Sequence, residues 1–176
     1  MQRSVIRIAA TAALLLALGA GSAGAARTGP AAITAVDSLE TQVLAELNTV
    51  RRAHGLTPLK LSRPLAAAAD AHSTAMGTHG FFRHESKDGS SFWHRVKRFY
   101  APGRNTWSVG ENLLWSTPGI GAREAVAMWM KSPGHRKNIL TARWREIGLS
   151  ALAVQGAPGF FGGRDVVVIT TNFGVR

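Results

Sequence analysis

Asp165-Val-Val-Val-Ile-Thr-Thr-Asn-Phe173 is the stretch that decides the fold. Its β-branched side chains are stiff at χ1 and pack well on a pleated surface, so the run reads as a strand. Before it lies Gln155-Gly-Ala-Pro-Gly-Phe-Phe-Gly-Gly163, a Gly-rich connection, and before that Ile147 to Val154, which alternates weakly. The three pieces together predict an antiparallel hairpin closing the chain.

Upstream the period changes from two to about 3.6. Asp37-Ser-Leu-Glu40 predicts a capping box, with Asp37 as N-cap and Glu40 reaching back. Leu39, Val43, Leu44, Leu47 and Val50 follow at helical spacing until Gly55. Leu56 to Leu61 is an extended connector. Ser62 and Pro64 open a second helix to about Thr78, with Leu65, Ala69, His72 and Met76 on one face. His72 is read as a hydrogen-bonded core residue. Gly80 to Gly89 is a polar loop carrying His84. Ser90 to Phe99 is a short basic helix with Phe92, Val96 and Phe99 on one side, and its aromatics could also touch a membrane. Residues 101–109 form a loop before the strand-like Glu111-Asn-Leu-Leu-Trp115, and Gly121 to Lys131 is helical with Ala122, Val126, Trp129 and Met130 inward. Helices first and an antiparallel hairpin last predict one α+β domain over residues 37–176, not a doubly wound sheet.

Residues 1–26 read as a signal peptide. Arg3 and Arg7 form a positive start, Ile8 to Leu18 an apolar core, and Ala23-Gly-Ala25 a cleavage site near Ala25/Ala26. That core is too short for a span of about 20 residues, so no transmembrane segment is expected after cleavage. Residues 27–36, rich in Ala, Gly and Pro, read as a lead-in segment. The expected location is secreted or periplasmic. The chain has no cysteine, which suits a bacterial envelope protein more than a disulfide-stapled animal module.

The 176-residue chain carries a formal charge of +11, mostly from scattered arginines such as Arg51, Arg52, Arg83, Arg95, Arg98, Arg136 and Arg145. They read first as a soluble basic surface, and beyond that as suited to anionic lipid or wall polymer. Nucleic acid is not an expected partner, because export argues against it and no recognised binding motif is present.

The chemistry concentrates around Trp129-Met-Lys-Ser-Pro-Gly-His-Arg-Lys-Asn-Ile-Leu140. The Ser-Pro-Gly break holds His135 at a helix end, from which it can point into a cleft. His84 and Glu111 are its candidate neighbours. Two imidazoles and a carboxylate suit Zn²⁺ with a fourth position left to water, or a general base with an orienting carboxylate. They equally suit a bonded core network, which composition and spacing favour. There is no Gly-x-Ser-x-Gly elbow, no phosphate loop and no cysteine nucleophile. His84-Glu85 begins like a zinc-protease helix, but position 88 is Asp.

Several motifs occur in order: Leu47-Asn-x-x-Arg51 with Gly55-Leu-x-Pro-Leu59; Phe82-x-His84 with Asp88-Gly89; Gly110-Glu-Asn112; Trp129-Met-x-Ser-Pro-Gly-His-Arg136 with Asn138-Ile-Leu140; Ile147-Gly148; and Thr171-x-Phe173-Gly174. On these, residues 38–174 resemble the CAP superfamily (cysteine-rich secretory proteins, antigen 5 and pathogenesis-related 1 proteins), in its short cysteine-free bacterial branch. The resemblance implies an α-β-α sandwich with a small antiparallel sheet between helical layers. It also implies a cleft where two His and two Glu meet, binding zinc in some members. His84, Glu111 and His135 match three of those positions, the histidines as metal ligands and Glu111 as a ligand or as the group behind one. Ser132 stands at the fourth, where eukaryotic relatives keep Glu.

The expected function is therefore a secreted, monomeric binding module. Its ligand-binding cleft, His84, Glu111, His135 and Ser132, would hold a lipid, sterol or anionic envelope component. One alternative is a metal-assisted hydrolase or peptidase using His84, Glu111 and His135, with Zn²⁺ as the cofactor. The other is a domain recognised by another envelope protein. No catalytic residue is assigned, and the balance leans away from an enzyme.

Overall fold

The computed structural model describes residues 31–103 and 106–176. The signal-peptide reading of residues 1–26 lies outside them. The elements run β1 (Ile33–Ala35), α1 (Asp37–Ala53), β2 (Lys60–Leu61), α2 (Arg63–His79), α3 (Phe92–Phe99), β3 (Ser108–Ser116), α4 (Ala122–Lys131), α5 (Pro133–Ile139), β4 (Glu146–Ala157) and β5 (Arg164–Val175). A one-turn 3₁₀ segment, Gly159–Phe161, lies between β4 and β5.

The predicted hairpin is the centre of the sheet. β4 and β5 pair antiparallel from Glu146↔Gly174 to Val154↔Val166, with an irregularity before Ala157↔Arg164. Strand order is β1-β4-β5-β3, and β2 adds a short parallel pair to β4. β3 is thus an edge strand, paired to β5 with Glu111 opposite Asn172. The segment read as a lead-in contributes β1, because Ile33 to Ala35 pair with Leu152 to Val154.

The weak alternation of β4 has a structural cause: both faces of the sheet are covered. Ile147, Leu149, Ala151, Ile169 and Phe173 face α1 and α4, where they meet Val43, Leu47, Val126 and Trp129. Leu152, Val154, Val166 and Val168 share the opposite side with Met76 of α2. With helices on both faces neither face needs polar residues, so the period-two signal fades. Gly148 sits where α2 crosses most closely; a Cβ there would come within 2.0 Å of the Ala66 nitrogen. This is the α-β-α sandwich.

Three expectations are corrected. The capping box at Asp37 does not form: Val36 is the N-cap, without a side-chain cap bond. Glu40 Oε1 accepts instead from Ala151 N at 2.9 Å, because Val36 N already bonds Ala151 O and draws the helix start against β4. Phe99 is exposed, and Tyr100 is buried beside Val96 in its place. Arg51 and Arg95 are not surface cations but buried side chains. Arg51 donates to the carbonyls of Thr57, Ile139 and Thr141, fastening the end of α1 to the segment before β4.

Candidate functional site

Glu111 lies on β3 with its side chain fully buried. Alternation along the strand turns Glu111 and Leu113 toward the α2 and α3 side, and Asn112 and Leu114 toward α4 and α5. A buried carboxylate needs partners, and it has three. Arg95 Nη2, from α3, donates to Oε2 at 2.5 Å. The second is His84 Nδ1, 3.0 Å from Oε1. The third is Asn172 on the neighbouring strand; with its oxygen accepting from Ala69 N, its amide nitrogen donates to Oε2 at 3.1 Å. That orientation is assigned from the bonding network.

Facing a carboxylate oxygen, His84 Nδ1 is the donor of this bond, which sets the orientation of the ring. Arg95 also donates to His84 O (3.3 Å) and Ser86 Oγ (3.1 Å), steadying the loop that carries His84. The loop is further held by His72 Nε2, bonded to Arg83 O at 2.9 Å. Burial pushes the His72 imidazole down to about 4, so this histidine is the neutral core residue expected from its helix face.

His135 approaches from the other side. Ser132 ends α4 and is the N-cap of α5, which Pro133 opens, so His135 lies in that helix's first turn. Asn138 Nδ2 donates to Glu111 O and Asn112 Oδ1, both at 2.9 Å, and Asn112 Nδ2 donates to His135 O at 3.2 Å. These bonds tie α5 to β3. Gly110 permits the close approach, since a Cβ there would stand 3.1 Å from both Asn138 Oδ1 and Trp144. Burial lowers the His135 pKa, and the nearby His84 ring lowers it further. Both effects favour the neutral imidazole.

A cavity of about 300 Å³ opens along the β3 edge, lined by Phe82, Leu113, Leu114, Trp115, Met128, Trp129, Ser132 and His135. Trp129 is anchored by donation from its Nε1 to Leu113 O. The structure thus places Ser132 and His135 in the cavity wall, while His84 and Glu111 form the adjoining polar network. Arg95, Asn172 and the Asn112–Asn138 pair complete the site, and sequence reasoning gave them no role. The Gly-Glu-Asn and Asn-Ile-Leu motifs held two of those asparagines; Arg95 had no signal beyond helical spacing.

Glu111 does not fit as a third zinc ligand; behind His84 it stands where a group orienting a metal-bound imidazole would. Oε2 is held by Arg95 and Asn172 and Oε1 accepts from His84, and a guanidinium beside a ligand carboxylate repels a cation. Among the described residues no group of three or more His, Asp or Glu side chains is placed to hold a metal ion.

The Cysteine-rich secretory protein family (CAP) model matches residues 44–170. The uncharacterized protein YkwD of Bacillus subtilis is 34% identical over 124 residues, covering 69% of this chain and 46% of that protein. The uncharacterized membrane protein YlbC of the same organism is 31% identical over 110 residues, covering 62% of this chain and 30% of its own length. The chain therefore spans less than half the length of these curated relatives. An extracellular protein containing an SCP domain from Bacillus anthracis superposes with a TM-score of 0.61 at 24% identity, covering 78% of this chain and 40% of that one. An outer surface protein from Borrelia burgdorferi superposes at 0.66 with 19% identity, covering 81% and 98%. At those identities the superpositions speak for the fold. The family match spans most of the sandwich and its cleft: the chain belongs to the cysteine-rich secretory protein (CAP) family, with the cysteine-free bacterial members.

Proposed function

We propose that the chain is a secreted module that binds an envelope lipid in the β3 cavity. The hydrocarbon part occupies the space between Phe82, Trp115, Met128 and Trp129, and the polar end meets His135 and the His84–Glu111 pair. One observation carries this reading: the cavity wall is mostly apolar and ends on Ser132 and an imidazole that burial pushes toward its neutral form. Ligand pockets typically combine an apolar lining with a few orienting polar groups. At about 300 Å³ the cavity is at the low end of the usual range, which favours one acyl chain over a rigid sterol. Export is supported by the leader-like N-terminus and by the description of two structural neighbours as extracellular and outer-surface proteins.

The test is titration with cis-parinaric acid, read by energy transfer from Trp115 and Trp129. The expected result is saturable binding, displaced by unlabelled fatty acids, and about tenfold weaker in Met128→Glu with an unchanged melting temperature. Wild type that binds neither the probe nor any fatty acid from decanoic to stearic would overturn the reading.

A further inference from the structure

We propose that the rim formed by Phe160 and Met128 docks on an anionic phospholipid bilayer, the source from which the cavity draws its ligand. This rests on the lipid-binding reading above. Phe160 and Met128 are 55% and 47% exposed, among the most exposed large apolar side chains of the described residues. Met128 lines the cavity. Phe160 stands just outside, its ring 5.8 Å from Phe82 and 5.7 Å from Trp115, two residues of the cavity wall.

Phe160 is presented rigidly. Its N–H donates to Gly80 O at 2.8 Å, and Gly159, at φ +56°, leaves no room for a Cβ against that same carbonyl. Its neighbour Phe161 is fully buried, with the two rings 5.4 Å apart. A fixed aromatic ring half in water beside an apolar cavity is unfavourable until something covers it.

Charge selects the cover. The segments that build the rim (the 80–89 loop, α4, α5 and the start of β5) carry seven exposed cations, among them Arg83 beside Phe82, Lys131 one turn beyond Met128, Arg136 beside His135, and Arg164 opening β5. Four exposed carboxylates stand among them, Glu85, Asp88, Glu124 and Asp165, and Asp165 Oδ1 is engaged by Gly156 N. A net cationic ring around apolar side chains fits an anionic leaflet, with aromatics at headgroup depth. Helix α3 offers a competing face, with exposed Trp93 and Phe99. Helical geometry puts those rings on opposite flanks of the ridge His94, Lys97 and Arg98, so they cannot enter one plane together, and the cations would lead.

The test is co-sedimentation of the full chain with phosphatidylcholine vesicles, with and without phosphatidylglycerol. Wild type should bind the phosphatidylglycerol vesicles, less so as salt rises. Phe160→Ser should weaken binding about fivefold while keeping its affinity for cis-parinaric acid in solution, and Trp93→Ser/Phe99→Ser should bind vesicles like wild type. Phe160→Trp supplies a second readout, since its fluorescence should be quenched by brominated lipid. No binding to phosphatidylglycerol vesicles, an unchanged Phe160→Ser, an unquenched Phe160→Trp, or loss confined to the α3 variant would each overturn the docking surface. Probe binding in solution would still stand in all four cases, so the two proposals fail separately.

Discussion

Replacing Arg95 by methionine removes the cation facing Glu111 while leaving most of its volume filled. The Glu111 side chain is 0% exposed and that of Arg95 8%, so neither charge can turn to bulk water. Deleting one partner of a buried pair costs about 3–5 kcal/mol, because the survivor keeps its desolvation penalty without its counter-charge. His84 and Asn172 still reach the carboxylate, which places the expected cost near the lower end, about 3 kcal/mol. For a chain of this length that lowers the melting midpoint by about 6–12 °C. Urea and thermal unfolding at neutral pH measure it, and a cycle with Glu111→Gln isolates the pair. The double variant should be more stable than Arg95→Met alone, because glutamine leaves no unpaired charge behind. Added Zn²⁺ should shift none of the melts. Single costs that add within about 0.5 kcal/mol would show two independent side chains and refute the coupled network.

Acid should destabilise the fold through His72. Below pH 6.5 the unfolded chain protonates this histidine, but the native chain resists until about pH 4; stability is therefore lost as pH falls across that window, by up to about 3 kcal/mol. His72→Gln should flatten that slope in urea titrations, and an unchanged slope would place the acid sensitivity elsewhere. Gly148→Ala drives a Cβ into the α2 backbone at Ala66 and Leu65 and should cost more than about 3 kcal/mol. Gly121→Ala, with nothing within 4 Å, should stay within about 0.5 kcal/mol in the same assay. Asn138→Ala frees α5 from β3; it should lower stability by about 1–3 kcal/mol and weaken cis-parinaric acid binding, since His135 rides on that helix. Equal affinity in the variant would separate α5 anchoring from the cavity.

The layers of the fold were legible because they rest on local signals. The six β-branched residues from Val166 to Thr171 announce β5, and the glycines before them announce a reversal. The helix spacing of Leu39, Val43 and Leu47 survives into the core. What failed was whatever depends on a distant partner. Asp37 and Glu40 have the spacing of a capping box, but the backbone of Ala151, more than a hundred residues away, bonds both Val36 and Glu40. Ile33 to Ala35 look like a solvent segment until β4 offers an open edge. Arg51 and Arg95 are indistinguishable by composition from Arg52 and Arg98; only the assembled fold supplies the carbonyls and the carboxylate that bury the first pair.

The same distinction governs the chemistry of the cleft. By sequence, His84 and His135 are candidate metal ligands with Glu111 a ligand or the group behind one, and the trio equally suits a base with an orienting carboxylate. In the fold they divide. Glu111 accepts from a guanidinium, an imidazole and an amide, so three of its roughly four lone-pair sites hold other side chains in place. A general base must keep a lone pair for the proton it removes, and a metal ligand must offer one to the ion. In this arrangement Glu111 orients the His84 ring, holding it through Nδ1. His135, lowered in pKa by burial and by His84, is pushed toward its neutral form at the cavity wall. An imidazole oriented as His84 is can accept from a ligand hydroxyl or a protonated acid, and it has the geometry of a general base with an orienting carboxylate as well.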